Sequence, residues 1–172
     1  GRSMNGADIL ARWESAKGSA LKRALFSKAL GLAVPYSGTI RPQILELEPG
    51  RCKVAMRDRR RVRNHLRSIH AIALVNLGEV SSGLALLTGL PPDARGIVKG
   101  LSIEYLKKAR GRLVATCEAN APTDNAERDV TVIAHIMDEA GDEVATVSVN
   151  WRVGPVPIKD AVKDAVPTGG KS

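Results

Sequence analysis

The strongest constraint on the fold is a long apolar stretch, residues 69–90, built mostly from Ala, Leu, Val, Ile and small residues. By length it could cross a membrane, but it contains Glu79, and a carboxylate at the centre of a bilayer is costly. We therefore predict a buried helix over residues 69–88, with Ser68 as its N-cap and Gly89 as its C-terminal cap. Because this helix is apolar on all sides, the rest of the protein has to enclose it.

Alternating apolar and polar residues on both sides of this stretch predict a sheet. Before it, residues 39–47 and 51–62 are predicted as two strands joined by a turn at residues 48–50. After it, four runs alternate with period two and are separated by turns that contain Gly, Asp and Asn. We predict an α+β fold in which one curved antiparallel sheet wraps around one long central helix.

The N-terminal part of the chain is predicted to be helical. Residues 8–32 place apolar side chains among Lys and Arg at close to helical spacing, interrupted at Gly18. This pattern predicts one amphipathic helix or two short ones that pack on the sheet, with binding to a membrane surface as the less favoured alternative. The predicted organisation is an N-terminal helical extension (1–33), one sheet-and-helix domain (34–153) and a flexible C-terminal tail (154–172).

Two cysteines and the start of the chain indicate the compartment. Cys52 and Cys117 have neither CxxC spacing nor a neighbouring His, so we expect two reduced thiols in the core. The first residues do not have the pattern of a secretory signal peptide. We therefore expect a cytoplasmic protein. Three dispersed histidines without a carboxylate cluster predict no metal site.

Glu79 is the residue that does not fit an apolar helix. On a helical wheel it lies in line with Ile72 and Leu86, and Asn76 and Ser82 stand a little further round on either side. A carboxylate in that position must be desolvated, paired, or open to a pocket. Two interpretations remain open, an ion pair with one of the arginines or a role in a site. We favour the second, because pocket carboxylates are kept for binding or chemistry.

The run that ends at Glu79 resembles the motif of PaaI-like acyl-CoA thioesterases, which have the hotdog fold. Asn64, then His70 six positions on, then Glu79 nine positions past the His match that motif in residue type and spacing. The resemblance extends over roughly residues 39–153 and fits an uncharacterised branch of the superfamily. The two glycines that usually follow the His are replaced here by Ala71 and Ile72.

The resemblance implies hydrolysis of an acyl-CoA thioester without a cofactor or metal. Glu79 would activate water or attack the carbonyl directly, Asn64 would orient water or substrate, and His70 would shape the carbonyl site. The backbone N–H of Ala71 or Ile72 would stabilise the oxyanion. A homodimer or dimer of dimers is implied, with the pocket between subunits. The candidate substrate-binding side chains about one helical turn from the glutamate are Asn76 and Ser82.

The formal net charge of +8 favours a polyanionic partner. The densest cluster of positive charge, residues 57–67, leads into the proposed carbonyl site. We predict that this cluster either is a solvated strand edge or binds the phosphates of coenzyme A. We do not expect a membrane partner. Nucleic-acid binding is the alternative from another class, disfavoured because no aromatic residues are interleaved for base stacking. A third hypothesis is that the protein binds acyl-CoA without catalysing its hydrolysis. The predicted phosphate-binding residues are Arg60, Arg61, Arg63 and Arg67.

Overall fold

The computed structural model describes residues 5–157, so most of the predicted C-terminal tail lies outside the described residues. Within these residues, three helices precede the first strand and a long helix lies between the second and third strands in sequence. A short turn of 3-10 helix spans Arg60–Val62. The elements are α1 (Gly6–Ala16), α2 (Ala20–Ala33), α3 (Pro35–Gly38), β1 (Gln43–Glu48), β2 (Arg51–Met56), α4 (Ala71–Gly89), β3 (Ala94–Tyr105), β4 (Leu113–Glu118), β5 (Arg128–Met137) and β6 (Glu143–Pro155).

The six strands form one antiparallel sheet in the order β1-β2-β4-β5-β6-β3, and its concave face packs on α4. Period-two alternation directs one side of each strand to the helix. On β6, for example, Val147, Val149 and Trp151 are buried, whereas Ser148 and Asn150 between them are partly exposed. The predicted α+β architecture, a curved antiparallel sheet around one long helix, is confirmed.

α4 is long and apolar enough to cross a membrane, but 61% of its apolar window is buried inside the fold. It is therefore the core helix of this sheet.

Both cysteines lie on strands that pack on α4. Cys52 on β2 pairs in register with Cys117 on β4, and both are free and buried.

Several predicted boundaries were wrong. The first strand begins at Gln43 rather than at residue 39, because Arg41 has a positive φ that interrupts the extended backbone. The second strand ends at Met56 rather than continuing to residue 62, because Asp58 accepts a hydrogen bond from the backbone N–H of Gly111 (2.9 Å) and pairs with Arg63, which turns the chain away from the sheet. Gly89 is not a left-handed cap but the last helical residue. A side chain there would meet the Cβ of Ala121 at 2.7 Å.

The N-terminal segment forms two helices that pack on the sheet and on α4. Ser19 caps α2 directly after the break at Gly18. α2 covers the free edge of β1, where the Ser27 hydroxyl accepts a hydrogen bond from the backbone N–H of Ile44 (3.0 Å). α1 packs beside the C-terminal half of α4, and Trp13 on α1 is buried with its ring centroid 5.5 Å from that of Phe26 on α2. α1 and α3 therefore cover part of the side of α4 that the sheet leaves open.

Candidate active site

Asn64 organises the loop that leads into α4. Its side-chain oxygen accepts hydrogen bonds from the backbone N–H groups of Leu66 (2.9 Å) and Ser68 (3.1 Å). Arg67 in the same loop has a positive φ of 56°, a conformation that costs about 1–2 kcal/mol in a non-glycine residue. Asn64 holds this loop closed, and only its amide NH2 is left to contact a water or a substrate.

His70, and not Ser68, is the N-cap of α4. Its Nδ1 accepts a hydrogen bond from the backbone N–H of Ile72 (3.1 Å), and the helix begins at Ala71. Because Nδ1 is an acceptor here, this cap requires that nitrogen to be unprotonated. The imidazole lies on the surface, beside the end of the helix at which backbone N–H groups point outward.

The first N–H groups of α4 differ in their availability. The Ile72 N–H is used by His70, whereas the N–H of Ala71 has no acceptor among residues 5–157. An oxyanion at this end of α4 would therefore meet the Ala71 N–H first, assisted by the positive end of the helix dipole. Ile72 itself is exposed and leaves the approach to Ala71 partly open.

Glu79 lies about two turns into α4 and is half-buried. Burial raises the pKa of its carboxyl above the ordinary value of 4.5. Among residues 5–157, no Lys or Arg side chain forms an ion pair with it. The interpretation of Glu79 as half of an ion pair therefore finds no partner in the described part of the chain.

Glu79 opens into a cavity of about 360 Å³. Its walls are otherwise apolar or small, and they come from α1, α2, α3, α4 and the ring of Trp151 on β6. Such a cavity, in which Glu79 and Ser37 are the polar residues among apolar walls, has the composition of a small-molecule pocket. The wall residues include Ile9, Leu30, Val34, Leu84 and Leu87.

The two predicted substrate-binding side chains fix the surroundings of this cavity. Ser82 accepts a hydrogen bond from Nε1 of Trp151 (3.2 Å) and donates one to the backbone carbonyl of Glu79 (2.9 Å), so it holds the ring that forms one wall. Asn76 donates to the carbonyl of Tyr36 (3.2 Å) and thereby anchors α3. Its Oδ1 is buried and has no hydrogen-bond partner among residues 5–157.

The structure places the predicted site residues in two separate places on one chain. Asn64 and Ala71 line a second cavity of about 350 Å³ at the start of α4, together with Tyr105 and Lys108. Glu79 lines only the first cavity. From Ala71 to Glu79 the axial separation is about 12 Å at 1.5 Å per residue. One thioester carbonyl therefore does not touch the Ala71 N–H and the carboxylate of the same chain together.

The predicted arginines differ in their surroundings. Arg63 pairs with Asp58 at 2.5 Å, so its charge is partly neutralised. Arg60, Arg61 and Arg67 are exposed. Their charges remain available to a ligand, but they line neither of the two cavities described above.

Sequence reasoning missed the contribution of the N-terminal helices to the site. The walls of the Glu79 cavity include Ile9 and Leu30, which precede the region of the motif by more than thirty positions. A signal was present in Trp13, an aromatic residue in a chain with only 3% aromatic content, which is buried and packs near Phe26 of α2. Among residues 5–157, no group of His, Cys, Asp and Glu is arranged to hold a metal ion.

Comparison with known proteins gives a family and a fold. The family model described as domain of unknown function (DUF4442) matches residues 22–153. The genomics target APC5556 is 28% identical, with a TM-score of 0.75, over 86% of this chain and 99% of that one. No curated protein matches the chain.

Two further solved structures carry a functional name. PA5026 from Pseudomonas aeruginosa, described as a probable thioesterase, is 22% identical with a TM-score of 0.66 over 78% of this chain and 93% of that one. The thioesterase SAV0944 from Staphylococcus aureus is 16% identical with a TM-score of 0.63 over 70% and 99%. At these identities the likeness establishes the hotdog fold.

Proposed function

The chain belongs to the family described as domain of unknown function (DUF4442) and has the hotdog fold of the solved thioesterases, and from this we propose that it is a PaaI-like acyl-CoA thioesterase. Glu79 acts as the general base or the nucleophile. The enzyme works as a cytoplasmic homodimer and needs no cofactor.

The observation that carries the proposal is the environment of Glu79. A carboxylate without a cationic partner in the described chain is destabilised on burial, and nothing in the packing around it compensates. A raised pKa brings a carboxylate closer to neutral pH, where a general base is most effective. The cavity beside it is apolar enough to hold an acyl group while the carboxylate faces the reacting carbonyl.

The oxyanion is best assigned to the Ala71 N–H, which is the free donor at the start of α4. Its axial distance of about 12 Å from Glu79 on the same chain supports a site completed by a second subunit, so that Glu79 of one chain works with the Ala71 N–H of the other. His70 then serves as a positioning residue, because it fixes the first turn that presents this N–H.

The edge strand β3 supports a dimer. Leu101 and Tyr105 point to the same side of the sheet as α4, yet 43% and 49% of their surfaces are exposed. Ile72 at the start of α4 is exposed as well. A second copy lying beside β3 and α4 would bury all three. Analytical ultracentrifugation at micromolar concentration should give a dimer or a multiple of it, and a stable monomer would contradict a shared site.

The proposed activity is tested by thiol release from acyl-CoAs of varied chain length. The account predicts turnover with a preference for acyl groups that fill about 360 Å³. A chain-length series with no turnover above the buffer rate at any length would reject the hydrolase.

A second candidate function is binding of acyl-CoA without turnover. It is favoured by Ile72, whose side chain stands where the PaaI-like motif usually has a glycine and whose N–H is already used by His70. Saturable binding of a non-hydrolysable acyl-CoA thioether, together with no thiol release, would establish this alternative. Binding to nucleic acid with a steep salt dependence, and no affinity for coenzyme A, would replace both.

A further inference from the structure

A long groove runs between α2 and the start of β1, and it has an unusual charge. Its volume is about 1050 Å³. One wall is a row of small residues along α2, including Ala20, Ala24 and Gly31, and the other is formed by residues 38–45 and Arg57. We call it the α2–β1 groove. It contains four cationic residues and no acidic one: Arg23, Lys28, Arg41 and Arg57.

The positive charge of this groove is not neutralised within the described chain. None of its four cationic residues forms an ion pair with an Asp or Glu among residues 5–157. Arg59 adds to it from the rim, where it donates a hydrogen bond to the carbonyl of Thr39 (3.2 Å), a residue that lines the groove. The Nε of Arg59 is buried and has no hydrogen-bond partner among residues 5–157.

Like charges gathered in this way repel one another. Burial lowers the pKa of the Arg59 guanidinium, and the charges of Arg41 and Arg61 lower it further. Such an arrangement is unfavourable in the free protein, and an anionic ligand would relieve it. Guanidinium groups bind phosphate oxygens with two parallel hydrogen bonds, so phosphate is the anion that this set of side chains fits best.

Arg41 occupies a backbone position that disfavours an arginine. Its φ is +53°, in the left-handed region, where glycine would be cheaper by about 1–2 kcal/mol. The fold therefore accepts a conformational cost at a residue whose side chain lines the groove. This cost is consistent with a use for the side chain at that position.

The groove adjoins the cavity that contains Glu79. Gly31 and Pro42 line both of them, so the two spaces lie on either side of the same pair of residues. One space is cationic and the other is apolar with a single carboxylate. Together they match a molecule that carries phosphate groups at one end and an acyl chain at the other.

We propose that the α2–β1 groove binds the phosphate groups of a phosphate-bearing acyl compound whose acyl chain enters the Glu79 cavity beside Gly31 and Pro42. The position of the acyl chain rests on the proposed function, whereas the phosphate site does not. Arg41 and Arg57 provide the main contacts, with Arg23 and Lys28 along α2. The phosphate comes either from a soluble compound such as coenzyme A or from a lipid headgroup. The lipid source is included because three leucines are exposed along α2, where they would suit a lipid surface, and one of them, Leu32, lines the groove. The three are Leu21, Leu25 and Leu32.

The test measures equilibrium binding, which does not depend on turnover. Isothermal titration calorimetry with coenzyme A compares the wild type with the groove variant, Arg41→Gln with Arg57→Gln. A control variant, Arg12→Gln with Arg112→Gln, removes the same charge from exposed residues outside the groove. Each charge-assisted contact corresponds to about tenfold in Kd or more. We expect about a 100-fold weaker Kd for the groove variant and less than about threefold for the control.

Two further variants separate the possible failures. Arg60→Gln with Arg61→Gln tests the arginines that the sequence pointed to; a loss confined to this pair would overturn the groove as the phosphate site. Equal losses in the groove and control variants would also overturn it, because net charge alone would explain them. Arg41→Gly guards against misfolding, since glycine tolerates φ of +53°; its melting temperature should not fall, and its Kd should still rise about tenfold.

The source of the phosphate is decided by a second probe. Co-sedimentation with phosphatidylglycerol vesicles, and with neutral phosphatidylcholine vesicles as a reference, tests a lipid headgroup. Binding to the anionic vesicles that is lost in the groove variant, without binding of coenzyme A, would support the phosphate site and reject the proposed acyl-CoA substrate. Groove-dependent binding of coenzyme A supports both. Wild-type protein that binds neither probe overturns the phosphate site, whatever the outcome of the hydrolysis assay.

Discussion

Substitution of Gly78 by alanine tests the packing that positions Glu79. Gly78 faces β6, and an ideal Cβ at this position would lie 2.4 Å from the Cβ of Val147 and 2.5–2.6 Å from its two methyl groups. Val147 is fully buried on the inner face of the sheet and cannot turn away. To accept the methyl group, α4 must move outward along the turn that carries the glutamate.

The magnitude follows from two opposing terms. Alanine is better than glycine in a helix by about 1 kcal/mol, whereas overpacking of a core costs about 1–3 kcal/mol and occasionally more. Gly83→Ala provides the matched control, because it gains the same helix propensity on the same helix but meets only the edge of the Trp151 ring, at 3.2 Å. We expect Gly78→Ala to be less stable than Gly83→Ala by about 2 kcal/mol.

Thermal unfolding followed by circular dichroism measures this difference. For a chain of this length, about 1 kcal/mol corresponds to roughly 2–4 °C in Tm, so the two variants should differ by about 4–8 °C. A Gly78→Ala protein that melts at or above Gly83→Ala would refute the close approach of α4 to β6, and with it the position assigned to Glu79.

Three further outcomes are expected. Burial raises the pKa of Cys117 to about 12 and also raises that of Cys52, so iodoacetamide at pH 8 should label neither thiol until the protein is unfolded. The folded-state pKa of Glu79 lies above its ordinary 4.5, so the folded protein holds that proton to higher pH and loses stability as pH rises from 4.5 through the raised pKa. Glu79→Gln should remove this pH-dependent loss in Tm. In the wild type, kcat/KM should increase through the same pH window, because the carboxylate becomes deprotonated there. Asn64→Ala leaves two loop N–H groups without their acceptor and should lower stability by about 1–3 kcal/mol, measured by urea unfolding, with a smaller loss for Asn64→Asp because it keeps an acceptor oxygen.

The fold was predictable because its signals are local. The period-two alternation of β6 and the apolar stretch of α4 need only neighbouring residues to be recognised, and both were confirmed. The start of α4 was misplaced because Ser68 and His70 are both able to cap a helix, and the choice depends on the loop shape that Asn64 imposes. That shape is set by hydrogen bonds that spacing alone does not reveal.

The surroundings of the site were less predictable, because they depend on contacts between distant parts of the chain. The motif located Glu79 correctly on the central helix, but nothing in its neighbourhood indicated that α1 and α2 would close the cavity beside it. The α2–β1 groove combines Arg23 with Arg41 and Arg57, which are separated in sequence and meet only when α2 packs along β1. The phosphate site predicted from the sequence is instead the dense run of arginines from Arg60 to Arg67, within which Arg63 is paired with Asp58.

We propose Glu79 as the catalytic carboxylate, and the Glu79→Gln variant tests this role most directly. The amide keeps the shape of the side chain but removes the base, and a neutral amide is cheaper to bury than an unpaired carboxylate. Glu48→Gln, at an exposed residue on β1, is the matched control. Melting temperature and acyl-CoA turnover are measured on the same preparations. The account predicts that Glu79→Gln melts at or above the wild type while turnover falls by about 10²–10⁴-fold, with Glu48→Gln unchanged in both. Wild-type turnover in a well-folded Glu79→Gln protein would contradict it.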